Sequence, residues 1–458
     1  MPHNDLTQTL ASPEAQWTIA GLGIVLVLML AREVPKIPRQ LLMLMATAFV
    51  DMLGLFLVVP LLPFYCKRLG EGGVHVLGLT LGIGEVTGLV MATFTVAQLI
   101  SAPMWGRFSD RYGRRPALLI ALGASAAGYV IFGFADSLWM LLLSRIVQGA
   151  GGGTVGVIQA YVADSVPPEE RARSLGWLSA ATNLGVALGP VLGSQSVSLG
   201  NLDLLPGEGI LQMGSAAPGL AAAVVCVVNM IFAARLLRES HTNAGAQVER
   251  RKALPALVEV VTHPMLPAAR LLLIYGVAIG AGQGINAVMA HLLDANFQIG
   301  EQEIGTVYTY IGAISVFARV LVLGRLLDRF GEARLSRIGT LLLSGGLMLL
   351  PFAHSLGTLA LAVGLLPLGT ALLFPCVSAL LSRVVPATER GMYLGLQQTF
   401  GGAARCIAPI SFGYLFDRAG HPAPFVVASM CVLLTMPLGF GLHQWSKQRA
   451  SAAAKPAP

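Results

Sequence analysis

Two opposite charges sit in this chain where charge is expensive. Asp51 lies about ten residues into an apolar run at about 41–64, and Arg145 lies about seven residues into another at about 138–162. Runs of that length cross a hydrocarbon layer of about 30 Å, and an ionisable side chain inside one costs several kcal/mol unless it is paired or hydrated. At 1.5 Å per residue Asp51 lies roughly 15 Å from one face and Arg145 roughly 10 Å from the other, so their depths differ by only about 5 Å and they can meet. Whether such a carboxylate holds a proton depends on its burial and on the charge beside it. A helix rearrangement that changes either would therefore load or release a proton, whereas a fixed structural ion pair would not.

A second set of charges lies between apolar runs. Gly106, Asp110, Arg111, Gly113, Arg114 and Arg115 form a loop that returns as Gly324, Asp328, Arg329 and Gly331 at a constant offset of 218. Pro167, Glu170, Arg171 and Gly176 likewise match Pro386, Glu389, Arg390 and Gly395 at an offset of 219. Two loop types in register mark a duplicated architecture. Gly106 and Gly113 permit a tight turn and close helix approach, and Asp110 can face a helix N-terminus and a neighbouring guanidinium. The second copy has Glu332 and Ala333 where the first has Arg114 and Arg115. A third pattern, Gly185, Gly189, Pro190 and Gly193, gives one helix a smooth face for close packing and a bend at the proline.

The elements that must position these residues follow from composition. The chain has 458 residues, 55% hydrophobic and only 12% charged, with a mean hydropathy of +0.71, whereas soluble domains carry roughly 25% charge. Apolar runs at about 41–64, 86–105, 117–135, 138–162, 174–196, 215–234, 268–292, 304–323, 338–353, 356–380, 391–415 and 423–443 supply twelve crossings. Assigning the segment before the first run to the cytoplasm places 23 basic residues on that side against 3 on the other. The positive-inside bias then makes both ends of the twelve-helix core cytoplasmic. The formal charge of +7 is dispersed over these loops, which excludes a nucleic-acid-binding stripe.

The fold class is thus all-α integral membrane, in two parallel six-helix bundles: an N-terminal segment 1–40, a bundle at 41–235, a cytoplasmic linker at 236–266, a second bundle at 267–443 and a cytoplasmic tail at 444–458. The short apolar stretch 17–31 leaves two alternatives open, an extra crossing or an interfacial helix.

The loop from Gly106 to Pro116, reading GRFSDRYGRRP, resembles the signature of the major facilitator superfamily, and the resemblance extends over residues 41 to 443. It implies that Asp110 and the arginines act as a cytoplasmic latch, weaker in the degenerate second copy. Arg145-Ile146-Val147-Gln148-Gly149 looks like the family's R-x-x-Q-G motif. The run from Asp51 to Pro63 is similar to the first helix of drug and proton antiporters. Gly185 to Gly193 resembles the antiporter motif G-x-x-x-G-P-x-x-G-G, with Ser194 in place of its last glycine. The stretch from Trp105 to Gly193 looks most like the tetracycline efflux group, and Tyr161-Val162-Ala163-Asp164 with Glu170, Arg171 and Arg173 fits that group. One departure is Gly128 before Tyr129, where the group typically places a carboxylate.

The resemblance implies a secondary carrier of the bacterial inner membrane that exports a small, amphipathic or drug-like molecule in exchange for protons. Import by proton symport or uniport, and a non-transporting assembly factor of the same fold, are the alternatives. Candidates for the substrate pocket are Gln148, Gln283, Asn286, Gln397, Gln398 and Arg405, the last because a buried cation without a nearby carboxylate would attract an anionic group. Arg319 lies close enough to a helix end to snorkel, and His291 and Asp294 fall near an outer end, where solvation is expected. No catalytic constellation, cofactor motif or metal-ligand spacing appears, so no enzyme, cofactor or metal is expected. The partners are the lipid bilayer, protons and the substrate, and the chain is read as a monomer.

Overall fold

A computed structural model describes residues 38–70, 74–76, 79–152, 154–166, 171–199, 213–237, 239, 253–386 and 389–441. The expectation for 17–31 lies outside these residues, as do the side chains of Ala163, Asp164, Glu170, Arg171 and Arg173.

The chain folds as α1 (Arg39–Val58), a single 3-10 turn, α2 (Leu62–Leu69), a hairpin of β1 (Val74–Val76) and β2 (Leu79–Leu81), then α3 (Ile83–Tyr112), α4 (Arg114–Gly133), α5 (Leu138–Gly151), α6 (Thr154–Ser165), α7 (Arg171–Leu199) and α8 (Met213–Leu236). There follow α9 (Ala253–Thr262), α10 (Pro267–Phe297), α11 (Ile304–Phe317), a π turn at Ala318–Val322, α12 (Leu323–Leu349), α13 (Leu356–Val384), α14 (Arg390–Arg418) and α15 (Ala423–Leu434). In lipid a backbone must satisfy its own hydrogen bonds, and the helix does so within one segment.

Among the described residues nine helical spans are long and apolar enough to cross a membrane. Shorter apolar helices at Ile304–Phe317 and Ala423–Gly439 add two. The twelfth is α14, which is 29 residues long and less apolar because it carries Gln397, Gln398, Arg405 and Asp417. These match the twelve runs. Two features depart from the expected outline: a two-stranded antiparallel hairpin, pairing Val74 with Leu81 and Val76 with Leu79, and the short helix α9 inside the segment expected to be a plain linker.

The duplication is written into the backbone. Gly113 ends α3 at φ 103° and ψ 159°, and Gly331 interrupts α12 at φ 70° and ψ 164°. Both occupy positive-φ conformations that only glycine adopts without strain, so the two copies of the loop turn in the same way. Gly331 separates the eighth crossing, which continues from α11 through the π turn, from the ninth.

The chain divides into two compact units, one of Met1–Asn243 with Met289–Ala313 and one of Ala244–Val288 with Ile314–Pro458. The end of α10 and most of α11 therefore pack within the first unit. In that unit α1 lies against α7 and α8, and α4 against α5 and α8; in the second, α12 lies against α13 and α15.

Candidate functional site

Asp51 is the one buried carboxylate among the described residues. Its Oδ2 accepts a 2.7 Å hydrogen bond from the Thr154 hydroxyl at the start of α6. The expected partner, Arg145, makes no ion pair with it: the residue is 1% exposed, its Nε donates to Ser144 Oγ at 3.4 Å and its guanidinium carbon lies 5.2 Å from the Phe132 ring centre. Thr154 of α6, not Arg145 of α5, is turned onto the carboxylate.

Arg145 Nη2 is buried without a hydrogen-bond partner among the described residues. Gln148, one turn on along α5, is buried on the same face, with the Tyr129 hydroxyl beside it. Tyr129 brings its hydroxyl to Gly54, 3.6 Å from where a Cβ would stand. Its neighbour Gly128 explains the missing carboxylate, because a Cβ there would lie 3.0 Å from Gln148 Cβ and 3.1 Å from Ser144 O. A side chain at this contact of α4 with α5 would require the helices to give by a few tenths of an ångström.

The glycine motif of α7 packs directly on α1. A Cβ on Gly185 would fall on Phe49 O, one on Gly189 would lie 2.8 Å from Leu53 O, and one on Gly193 would fall on Leu57 O. These contacts bracket Asp51 and fix the backbone that carries it. Ser194, at the motif's altered last position, fits against Gly305 of α11, where an added Cβ would lie 2.6 Å from the Ser194 Cβ.

In the first charged loop Asp110 pairs with Arg114 at 2.6 Å, and the same guanidinium donates to Ser109 Oγ at 2.7 Å. A residue not singled out from the sequence completes it. Glu239, just beyond α8, accepts from the backbone N–H of Arg114 at 2.8 Å and of Arg115 at 3.1 Å, while Arg115 Nη2 donates to Ala234 O. In the second loop Asp328 makes no ion pair among the described residues. There Glu332 forms a fork with Arg383, at 2.6 and 3.0 Å.

Away from these loops, Lys67 pairs with Asp294 at 2.6 Å and Arg68 approaches Glu301 at 3.7 Å. Burial raises the Glu301 carboxyl above its ordinary range and Arg68 works against that rise. His291 is not solvated as expected: it is 8% exposed and hydrogen-bonded to Thr87 at 2.9 Å.

In the second unit Gln397 exchanges hydrogen bonds with Ser378 at 3.1 and 3.3 Å, tying α14 to α13. Gln283 and Asn286 are half-buried on α10, Gln398 is exposed, and Arg405 is half-buried at the middle of α14. The structure thus gathers Asp51, Arg145 and Gln148 with α1, α5 and α6 in one unit, and Gln283, Asn286, Gln397 and Arg405 with α10 and α14 in the other. Thr154, Glu239, Ser378 and Arg383 were not singled out by sequence reasoning. Among the described residues no cluster of His, Cys, Asp or Glu could hold a metal ion.

Two units of apolar helices, each with a glycine-broken charged loop in the same backbone conformation, define a multi-pass helical membrane protein built from repeated halves. The family model described as Major Facilitator Superfamily matches residues 44–286 and 271–457, and the chain belongs to that family. It is 30% identical to the tetracycline resistance protein, class C, of Escherichia coli over 79% of this chain and 85% of that one. It is 26% identical to multidrug resistance protein 2 of Bacillus subtilis (strain 168), over 88% and 97%. The crystal structure of the human organic anion transporter MFSD10 superposes with a TM-score of 0.63 at 23% identity, covering 88% of this chain and all of that one. The protein is accordingly a membrane transporter of the drug-efflux type with a small-molecule substrate, and not an enzyme.

Proposed function

We propose that the chain exports a small amphipathic molecule across the bacterial inner membrane in exchange for protons, by alternating access, with both ends of its twelve-helix core in the cytoplasm. The observation that carries this reading is Asp51, the one buried carboxylate among the described residues, held by one hydroxyl on a helix whose backbone is packed against the antiporter motif. An intramembrane carboxylate without a salt bridge can cycle between charged and neutral forms at modest cost to structure. Protonation removes its need for the Thr154 donor and frees α1 to move relative to α6. Arg145, which has no carboxylate partner among the described residues, supplies the second charge of the cycle. Asp110 and the neighbouring arginines latch the cytoplasmic side, and alternating access exposes the substrate to each side of the membrane in turn.

Asp51→Asn tests the coupling, because the amide mimics the protonated acid and cannot cycle. In proteoliposomes with an imposed pH difference the variant should lose concentrative transport while retaining substrate binding. Wild-type concentrative rates in the variant would remove the role of Asp51. Flux directed inward with the proton would instead identify a symporter.

A further inference from the structure

We propose that the second unit holds its own anion site at Arg405, so that the transported molecule is an organic anion: an apolar, ring-bearing body with a carboxylate. This rests on the transport reading only in treating the chain as a carrier of small molecules.

Arg405 stands at the middle of the 29-residue α14. It lies about 24 Å along the axis from Glu389 and about 18 Å from Asp417, the carboxylates at either end of that helix, which is far beyond side-chain reach. The other carboxylates of the second unit's crossings also sit at helix ends or breaks. Asp328 and Glu332 flank Gly331, and Glu332 is already committed to Arg383. Arg405 itself has no hydrogen bond or ion pair among the described residues. Arg270 of the same unit, by contrast, donates to the carbonyls of Pro437 and Phe440. A mid-helix guanidinium costs several kcal/mol unless compensated, and from this depth it cannot snorkel to a lipid headgroup. Among the described residues of the second unit nothing supplies its counter-charge.

The surroundings select the rest of the molecule. The guanidinium folds back along its own helix, with Nη2 3.8 Å from where a Cβ on Gly401 would stand, and Tyr275 Cε1 lies 2.9 Å from the same point. Tyr275 meets Phe374 edge-to-face at 5.5 Å. The approach is possible because α10 presents Gly276, Gly280 and Gly284 to Phe400, Ala404 and Phe412 of α14. Gln398, exposed and two turns before Arg405 on the same face, adds amide hydrogen bonding. A planar cation beside aromatic rings fits a carboxylate joined to an aromatic body, since the guanidinium fork matches the carboxylate geometry.

The test compares three probes with one ring system and different charge: 2-naphthoate, 2-naphthalenemethanol and 2-naphthylmethylammonium, measured by equilibrium dialysis with purified protein in detergent. Wild type should bind naphthoate at least about tenfold more tightly than either analogue. Arg405→Gln should erase that preference and leave binding of the alcohol within about twofold, while Arg405→Lys should keep most of it. Naphthoate bound no better than the alcohol by wild type, or a preference that survives Arg405→Gln, overturns the proposal. Where Arg405→Gln gives no monodisperse protein, wild-type selectivity decides alone. Binding at equilibrium needs no gradient, so the anion preference persists in Asp51→Asn even if the coupling reading fails, and it can fail while pH-driven transport remains intact.

Discussion

The Glu239 carboxylate sits on Gly113: one oxygen lies 2.6 Å from where a Cβ on that glycine would stand, and the two oxygens accept from the N–H groups of Arg114 and Arg115. An acidic group here answers two of the unpaired donors at the start of α4 and the positive end of its dipole. Gly113 is required twice over, by its φ of 103° and by the carboxylate beside it.

Gly113→Ala should therefore destabilise more than Glu239→Ala, since it adds backbone strain of about 1–3 kcal/mol to the displaced carboxylate. Thermal unfolding of purified protein in detergent measures both. The double variant should lose less than the sum of the singles, because the clash at Gly113 is with the Glu239 side chain. Strict additivity would show that the two do not act together.

The loops of the two halves should respond unequally. Asp110 is paired with Arg114, whereas Asp328 has no ion pair among the described residues. A pair open to solvent on its carboxylate side contributes little to folding stability, but a shift of about 1 kcal/mol between conformers changes their ratio roughly fivefold. Asp110→Asn should lower the initial transport rate about fivefold at equal expression, and Asp328→Asn should stay within about twofold. Glu332→Gln, which breaks the fork with Arg383, should exceed Asp328→Asn. Equal losses in Asp110→Asn and Asp328→Asn would remove the asymmetry.

Ser194 and Gly305 make a compensating pair. A Cβ on Gly305 would meet the Ser194 side chain and lie 2.8 Å from Pro190 O. Gly305→Ala should cost about 1–3 kcal/mol through overpacking. Adding Ser194→Gly should recover part of that loss, with a coupling above about 0.5 kcal/mol in the double-mutant cycle. Recovery should be incomplete because the Pro190 carbonyl stays in place. No coupling would mean that the altered end of the glycine motif is indifferent to α11.

Residue counting gives a position along a helix and says nothing of azimuth. Counting residues placed Asp51 and Arg145 at similar heights, yet whether two side chains meet depends on rotation about each helix axis, and there Thr154 faces Asp51. The same gap hid His291, whose height suggested solvent while its direction points to Thr87. Gly113 and Gly331 were legible because a backbone requirement leaves a residue type behind. Glu239 was not, since one carboxylate in a polar stretch looks like any other until the helix it caps is seen.

Thr154 gives the sharpest test of the site around Asp51. The residue is 3% exposed, and its hydroxyl is the one side-chain hydrogen-bond donor to the carboxylate among the described residues. Thr154→Val preserves the side-chain volume and removes the donor, leaving a buried carboxylate without its partner at a cost of about 1–3 kcal/mol or more. Thr154→Ser keeps the hydroxyl and loses only a methyl group. If Asp51 is the proton site and Thr154 holds its charged form, Thr154→Val should slow pH-driven transport at least about tenfold and move its pH profile, while Thr154→Ser should stay within about threefold with the profile unmoved. Initial rates in everted vesicles at several pH values, normalised to protein in the membrane, provide the measurement. Equal rates and an unshifted profile in Thr154→Val would mean that the hydrogen bond has no part in loading the proton.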